Sequence, residues 1–105
     1  MDLLTRMETF VRVVDALSFS AATKQLHLSV AAVSRHVIAL EEELGTSLIA
    51  RTTRKLTITP GGRLYYERCV RVLHEVEEAQ TAGRLGVGGP LRMSVRFTRL
   101  RRRPR

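Results

Sequence analysis

At 105 residues, 44% of them apolar, the chain is long enough for one small globular domain with an appendage. Its single cysteine, Cys69, excludes an intramolecular disulfide and a cysteine-rich metal site. No apolar run approaches the roughly 20 residues of a membrane span and no signal peptide is legible, so the expected location is the cytoplasm, with no membrane partner. The net charge of +8 is unevenly placed: residues 90–105 hold seven arginines and no acid, whereas residues 1–89 hold 11 basic and 10 acidic groups. The high overall basicity therefore describes the C-terminal stretch and not the folded part.

Asp2 is placed to cap a first helix from Leu3 to Leu17. The apolar residues Leu3, Met7, Phe10, Val14 and Leu17 recur at helical spacing, widened by Leu4 and Val11, and predict a core-facing scaffold helix. Ser18 and Ser20 are candidate caps for a short second helix carrying Phe19, Ala22 and Leu26 on one stripe. His27 and Leu28 break that pattern. Ser29 then caps a third helix whose apolar row is Val33, Val37, Leu40 and Leu44, with Gly45 as its stop. Two helices separated by about three residues form a helix-turn-helix candidate, and Ala21, Ala22, Ala31 and Ala32 are small enough for the backbones to approach closely. The outward face of the later helix then carries Ser29, Val30, Ala31, Ser34, Arg35 and Ile38. Hydroxyls, a guanidinium and small apolar groups are the types that meet base edges and thymine methyls in a major groove. Local charge agrees: Lys24, Arg35, Arg51, Arg54, Lys55 and Arg63 lie on the proposed binding elements, and Glu41, Glu42 and Glu43 sit at the far end of the third helix.

After Gly45 the period becomes strand-like. Leu48, Ile49 and Ala50, a polar turn at 52–55 and the alternating Leu56–Thr59 predict a two-stranded hairpin. Arg51, Thr52, Thr53, Arg54 and Lys55 gather at its tip and are candidate phosphate ligands. Thr59 and Pro60 then punctuate the start of a long helix reaching about Ala82. Tyr65, Cys69, Val72, Val76 and Ala79 follow the 4, 3, 4, 3 spacing of a coiled-coil seam, the candidate dimerisation surface. Gly83 to Pro90 is rich in glycine and predicts a linker, and the arginine-rich end predicts a disordered cationic arm with affinity for any polyanion.

Catalysis finds no support. His27, His36 and His74 are scattered, with no acid or thiol at ligand spacing around them, so neither an enzyme nor a metal or other cofactor is expected. His36, beside Arg35, is expected to be a solvated helix position at the edge of the reading face.

The stretch LHLSVAAVSRHVIALEEELG followed by SLIARTTRKLTITPGG resembles the N-terminal winged helix-turn-helix domain of the LysR-type transcriptional regulators, over roughly the first 60 residues. Ala21-Ala22, Leu26, Ser29, Ala32 to Arg35, Leu40-Glu41, Leu44-Gly45, Arg51, Leu56, Thr59 and Gly62 carry the likeness. It departs from the family pattern at Val30, where members commonly carry a polar residue, often Gln, and at Ala31, where Pro is frequent. A thymine-methyl contact by Val30 is the physical substitute for adenine readout there. The resemblance implies a mainly α fold: three helices and a two-stranded β wing (1–59), then a long linker helix (60–82) that pairs with its copy, then the Gly-rich and Arg-rich remainder (83–105). It implies a homodimer on a two-fold symmetric promoter site in double-stranded DNA, with full-length relatives as further candidate partners. Residues 91–95 resemble the first strand of the family's effector domain and the likeness stops there, so a truncated member without small-molecule effector is the expectation. Two other readings stand beside it: a nonspecific polyanion-binding protein working through the arginine tail, and a nonfunctional gene remnant.

Overall fold

The computed structural model of the chain describes residues 2–52 and 55–86. Its elements are α1 (Leu3–Ala16), α2 (Phe19–Leu26), α3 (Val30–Leu44), β1 (Ile49–Arg51), β2 (Leu56–Ile58) and α4 (Pro60–Gly86). The expectations on Thr53, Arg54 and residues 87–105 lie outside the described residues. The chain divides into two units, with the boundary inside α4 between Leu73 and His74.

Local chemistry sets the helix ends. Asp2 Oδ1 accepts from the Thr5 amide at 2.8 Å, Ser18 Oγ from Ala21 at 3.1 Å and Ser29 Oγ from Ala32 at 3.1 Å, so each of the first three helices has its side-chain N-cap. The other ends turn through left-handed residues: Leu17 (φ 52°), His27 (φ 58°) and Gly45 (φ 71°). Only at Gly45 is that conformation free of a Cβ penalty; Leu17 and His27 each carry a cost of about 1 kcal/mol that the packing of three helices offsets. With Leu17 and Ser18 joining α1 to α2, and residues 27–29 joining α2 to α3, the predicted helix-turn-helix is in place.

The three helices pack against one another in pairs. Phe10, Val13, Val33, Val37 and Leu40 are fully buried between them, with Met7, Val11 and Ala22. Removing a side chain the size of Phe10 or Leu40 from water contributes about 1.5–3 kcal/mol. The period of α1 predicted its buried side but not its limits. Leu3, Leu4 and Leu17 are exposed, and Val13 and the polar Thr9 take fully buried positions instead. Likewise Val33, Val37 and Leu40 are buried as expected, but Leu44, in the last turn of α3, is 45% exposed.

β1 and β2 pair antiparallel, with Ile49 opposite Ile58, Ala50 opposite Thr57 and Arg51 opposite Leu56. A two-stranded ribbon is marginal alone, and here it is fastened at its base. Glu41 Oε2, on α3, accepts from the amides of Leu48 (2.8 Å) and Ile49 (3.1 Å). Thr59 Oγ1 donates to the Ser47 carbonyl at 2.6 Å and accepts from the Gly62 amide at 2.9 Å, capping α4 with Pro60 in its first turn. The Leu48 carbonyl comes so close to Gly62 that a Cβ there would lie 2.1 Å from its oxygen, and only glycine fits.

Within the first unit, α4 turns Gly62, Tyr65, Tyr66, Cys69 and Leu73 inward. Tyr65 lies 5.7 Å from Phe10, ring centroid to centroid, and the Tyr66 hydroxyl donates to the Asp15 carboxylate on α1. Residues 74–86 form a single helical stretch with an exposed His74–Glu78 pair at 3.2 Å. Helix α4 continues past Ala82 to Gly86, the last described residue; Gly83 is helical, with open space around its Cβ position.

Candidate nucleic-acid interface

Helix α3 sorts its residues by exposure. Val33, His36, Val37 and Leu40 are buried, and the opposite side of its first half shows Val30, Ala31 and Arg35 to solvent, with Ser34 half-exposed between them. Val30 is 51% exposed and Ile38 40%, one on either side of Arg35. Both are apolar groups that the core does not use, beside a guanidinium on the same side of the helix. The first turn of α3 holds no acid, and among the described residues no carboxylate pairs with Arg35. Ser29, at the tip, uses an acceptor lone pair as the cap and keeps its hydroxyl proton for another partner.

The acids of α3 are confined to its other end, and two of the three, Glu41 and Glu43, are put to structural use. Glu41 holds the base of the ribbon, as described. Glu43 pairs with Arg6 Nη2 of α1 at 3.1 Å. The sequence marked these glutamates only as a region of unfavourable charge for a polyanion; their partners lie 7 to 37 residues away, and no local pattern signals them.

His36 is likewise a structural residue. It is buried, and its Nδ1 lies 2.8 Å from Thr9 Oγ1 on α1. Thr9 Oγ1 also lies 2.9 Å from the Thr5 carbonyl, so the hydrogen bond between Thr9 and the His36 ring ties α3 to α1. Burial, with Arg35 and Arg6 nearby, pushes its pKa below the usual value. The expectation of a solvated His36 fails for a reason of register: position 36 falls on the same helix side as Val33, Val37 and Leu40.

On the ribbon, Arg51 closes β1 with its guanidinium over the Phe19 ring, 5.1 Å from the centroid. Thr52 and Lys55 close the turn onto each other: the Thr52 amide and hydroxyl both donate to the Lys55 carbonyl, at 3.0 and 3.1 Å, and Thr52 Oγ1 accepts from the Lys55 amide at 2.9 Å. The Thr52 hydroxyl proton is thereby engaged within the turn, whereas Arg51 and Lys55 are exposed. Phe19, the anchor under Arg51, was legible only as a core residue.

The candidate dimer seam separates into two parts. Cys69 is fully buried in the core of this chain and offers no surface to a partner. Tyr65 is half-buried beside Phe10. Burial pushes the Cys69 thiol up to about 11 and the Tyr65 hydroxyl to about 12, so both stay protonated at neutral pH and Cys69 is a small packed side chain, not a nucleophile. Val72 is 39% exposed, Val76 half-buried and Ala79 exposed. Among the described residues no three His, Cys, Asp or Glu are placed to hold a metal ion, and no helix is long and apolar enough to cross a membrane.

Comparison with known proteins places this geometry. The chain is 46% identical over 78 residues to the HTH-type transcriptional activator AaeR of Escherichia coli (strain K12), covering 74% of this chain and 25% of that protein. It is 47% identical over 75 residues to the HTH-type transcriptional regulator CrgA of Neisseria meningitidis serogroup C (strain 8013), covering 71% of this chain and 25% of CrgA. The chain thus spans about a quarter of the length of these curated relatives. Its fold is similar to the DNA-binding domain of BenM in a complex with catB site 1 DNA, with a TM-score of 0.79 and 31% identity over 85% of this chain and 98% of that one. The CbnR DNA-binding domain in its DNA complex gives a TM-score of 0.76 at 29% identity. The model of bacterial regulatory helix-turn-helix proteins of the lysR family matches residues 4–63, and with these helices, this wing and this match the chain belongs to that family.

Proposed function

We propose that the chain is the sequence-specific DNA-binding part of a LysR-type transcriptional regulator, acting as a homodimer on a two-fold symmetric promoter site. The observation that carries the reading is the exposed, acid-free first half of α3, where Val30, Ala31 and Arg35 are left outside the core. Ser29, Val30, Ala31, Ser34 and Arg35 read the major groove: Arg35 has the fork for guanine, and Val30 and Ala31 have methyl groups for thymine. Arg51 and Lys55, with Thr52, Thr53 and Arg54 of the same turn, hold the sugar-phosphate backbone. The DNA complexes of the BenM and CbnR domains support this assignment, since both are solved on DNA with the same fold. Two copies pair through α4, with Val72, Val76 and Ala79 facing the partner and Tyr65 and Cys69 backing that surface from the core. The DNA-binding unit is 1–59 and the pairing helix 60–82, continued to Gly86. Regulation is its role, not catalysis, and the working location is the cytoplasm.

The test is a fluorescence-anisotropy titration over a salt series, on DNA from upstream of the chain's own gene and on a scrambled duplex, with the full chain and a 1–89 truncation. Tighter binding to the upstream DNA that survives truncation is the expected result. Binding that tracks the seven arginines of residues 90–105 and ignores sequence would instead favour a nonspecific polyanion binder.

A further inference from the structure

The contact of Arg51 with Phe19 serves neither the core nor the ribbon's own hydrogen bonds. Arg51 is exposed at the end of β1, and its guanidinium carbon lies 5.1 Å from the centroid of the Phe19 ring, within the roughly 6 Å reach of a cation–π interaction. Phe19 is the first residue of α2, directly after the Ser18 cap, and is half-buried against the core cluster, so its ring is a fixed platform and not a mobile one. Among the described residues no carboxylate pairs with Arg51. A guanidinium can meet a ring with its face and keep its in-plane N–H edge free, and that edge is the group a phosphate takes in two parallel hydrogen bonds.

We propose that Phe19 is a positioning residue for phosphate recognition: its ring holds the Arg51 guanidinium with the N–H edge presented to the DNA backbone between the first turn of α2 and the ribbon. The proposal rests on the DNA-binding reading above and adds to it a residue with no base or phosphate contact of its own. An arginine at the end of a short strand samples many rotamers, and ordering it at the moment of binding reduces affinity. Stacked beforehand on Phe19, it meets a phosphate with that ordering already done. The first turn of α2 contains no acid to repel the phosphate or to draw Arg51 away.

The experiment uses the full chain and a duplex selected by the wild-type chain from a random pool, titrated by anisotropy over a salt series. Arg51→Ala is expected to weaken binding about tenfold and to flatten the plot of log affinity against log salt by about 0.9 per protomer, the loss of one phosphate contact. Phe19→Leu, which keeps an apolar side chain but removes the ring, is expected to weaken binding about threefold to tenfold and to flatten the plot in the same direction. Phe19→Tyr restores both values. In the Arg51→Ala background Phe19→Leu changes neither. A loss from Phe19→Leu that persists in that background, or that leaves the salt slope at the wild-type value, overturns the proposal, because a purely core-filling Phe19 behaves that way. Proton NMR of the free wild-type chain supplies a readout that needs no variant: the Arg51 side-chain protons are expected upfield of random-coil positions under the ring current, and unshifted resonances overturn the proposal. Failure of the wild-type chain to select any duplex overturns the DNA-binding reading itself, whereas wild-type binding by Phe19→Leu removes only the role of Phe19.

Discussion

The two halves of α3 share one helix and have opposite work. In the first half, Val30, Ala31 and Arg35 contribute little to the fold and are open to solvent. In the second half, Glu41 accepts two amides of the ribbon base and Glu43 reaches Arg6, so two of the charges at this end serve the domain's own contacts. The core residues Val33, Val37 and Leu40 run beneath both halves and make them one rigid body. The difference teaches that a candidate reading surface stands out by what it does not do for stability. Substitutions should therefore separate binding from folding along a single helix.

The largest effect is expected where the ribbon base meets α4. Gly62→Ala forces a methyl to within 2.1 Å of the Leu48 carbonyl oxygen and 2.9 Å of the Ile58 side chain, and urea denaturation should show a loss of about 3 kcal/mol. Glu41→Ala leaves the Leu48 and Ile49 amides without their carboxylate and should cost about 2 kcal/mol in the same measurement, with DNA affinity falling as the ribbon loosens. If Glu41→Ala unfolds at the wild-type urea midpoint, the contrast between the halves is broken. Arg35→Ala gives the complementary result: stability within about 0.5 kcal/mol of wild type, and operator affinity lower by roughly 1 to 3 kcal/mol. An unchanged affinity would remove Arg35 from the reading surface.

The smallest effect sharpens the comparison at His36, the residue beside Arg35 that faces the other way. Its folded-state pKa lies below the ordinary histidine value of 6.5, with burial as the main cause. Between the folded value and 6.5 the unfolded chain binds more protons, so the stability that His36 supplies is present above about pH 6.5 and is lost as the pH falls below it. Melting temperatures from pH 8 to 5 should decline over the lower part of that range in the wild type, and less steeply in His36→Gln. The groups facing His36 are Thr9 on α1, Arg6 on α1 and the neighbouring Arg35, and neither cation can compensate a buried imidazolium.

Most of the fold was legible in the residues because it is set locally. A serine or aspartate before an apolar period, a glycine after it, and a change from period 3.6 to period 2 each act within one or two turns of chain; they placed caps at Asp2 and Ser29 and the ribbon after Gly45, and left Ser18 and Ser20 as alternatives between which the structure takes Ser18. The exposure of Val30, Ala31 and Arg35, the proposed reading residues, was legible for the same reason, as the side of α3 opposite its apolar row.

Tertiary structure alone decided the rest, because it depends on partners distant in sequence. The spacing of Tyr65, Cys69 and Val72 is shared by a coiled-coil seam and by a helix side packed on its own domain; in the folded chain Cys69 is core and Tyr65 packs half-buried against Phe10 of α1. Glu41 became a ribbon anchor, His36 a buried link to Thr9, and Gly62 an obligatory glycine only once α3, β1 and α4 converged. Arg51 gained its platform because the α1–α2 turn brings Phe19 beneath the end of β1, 32 positions apart in the chain.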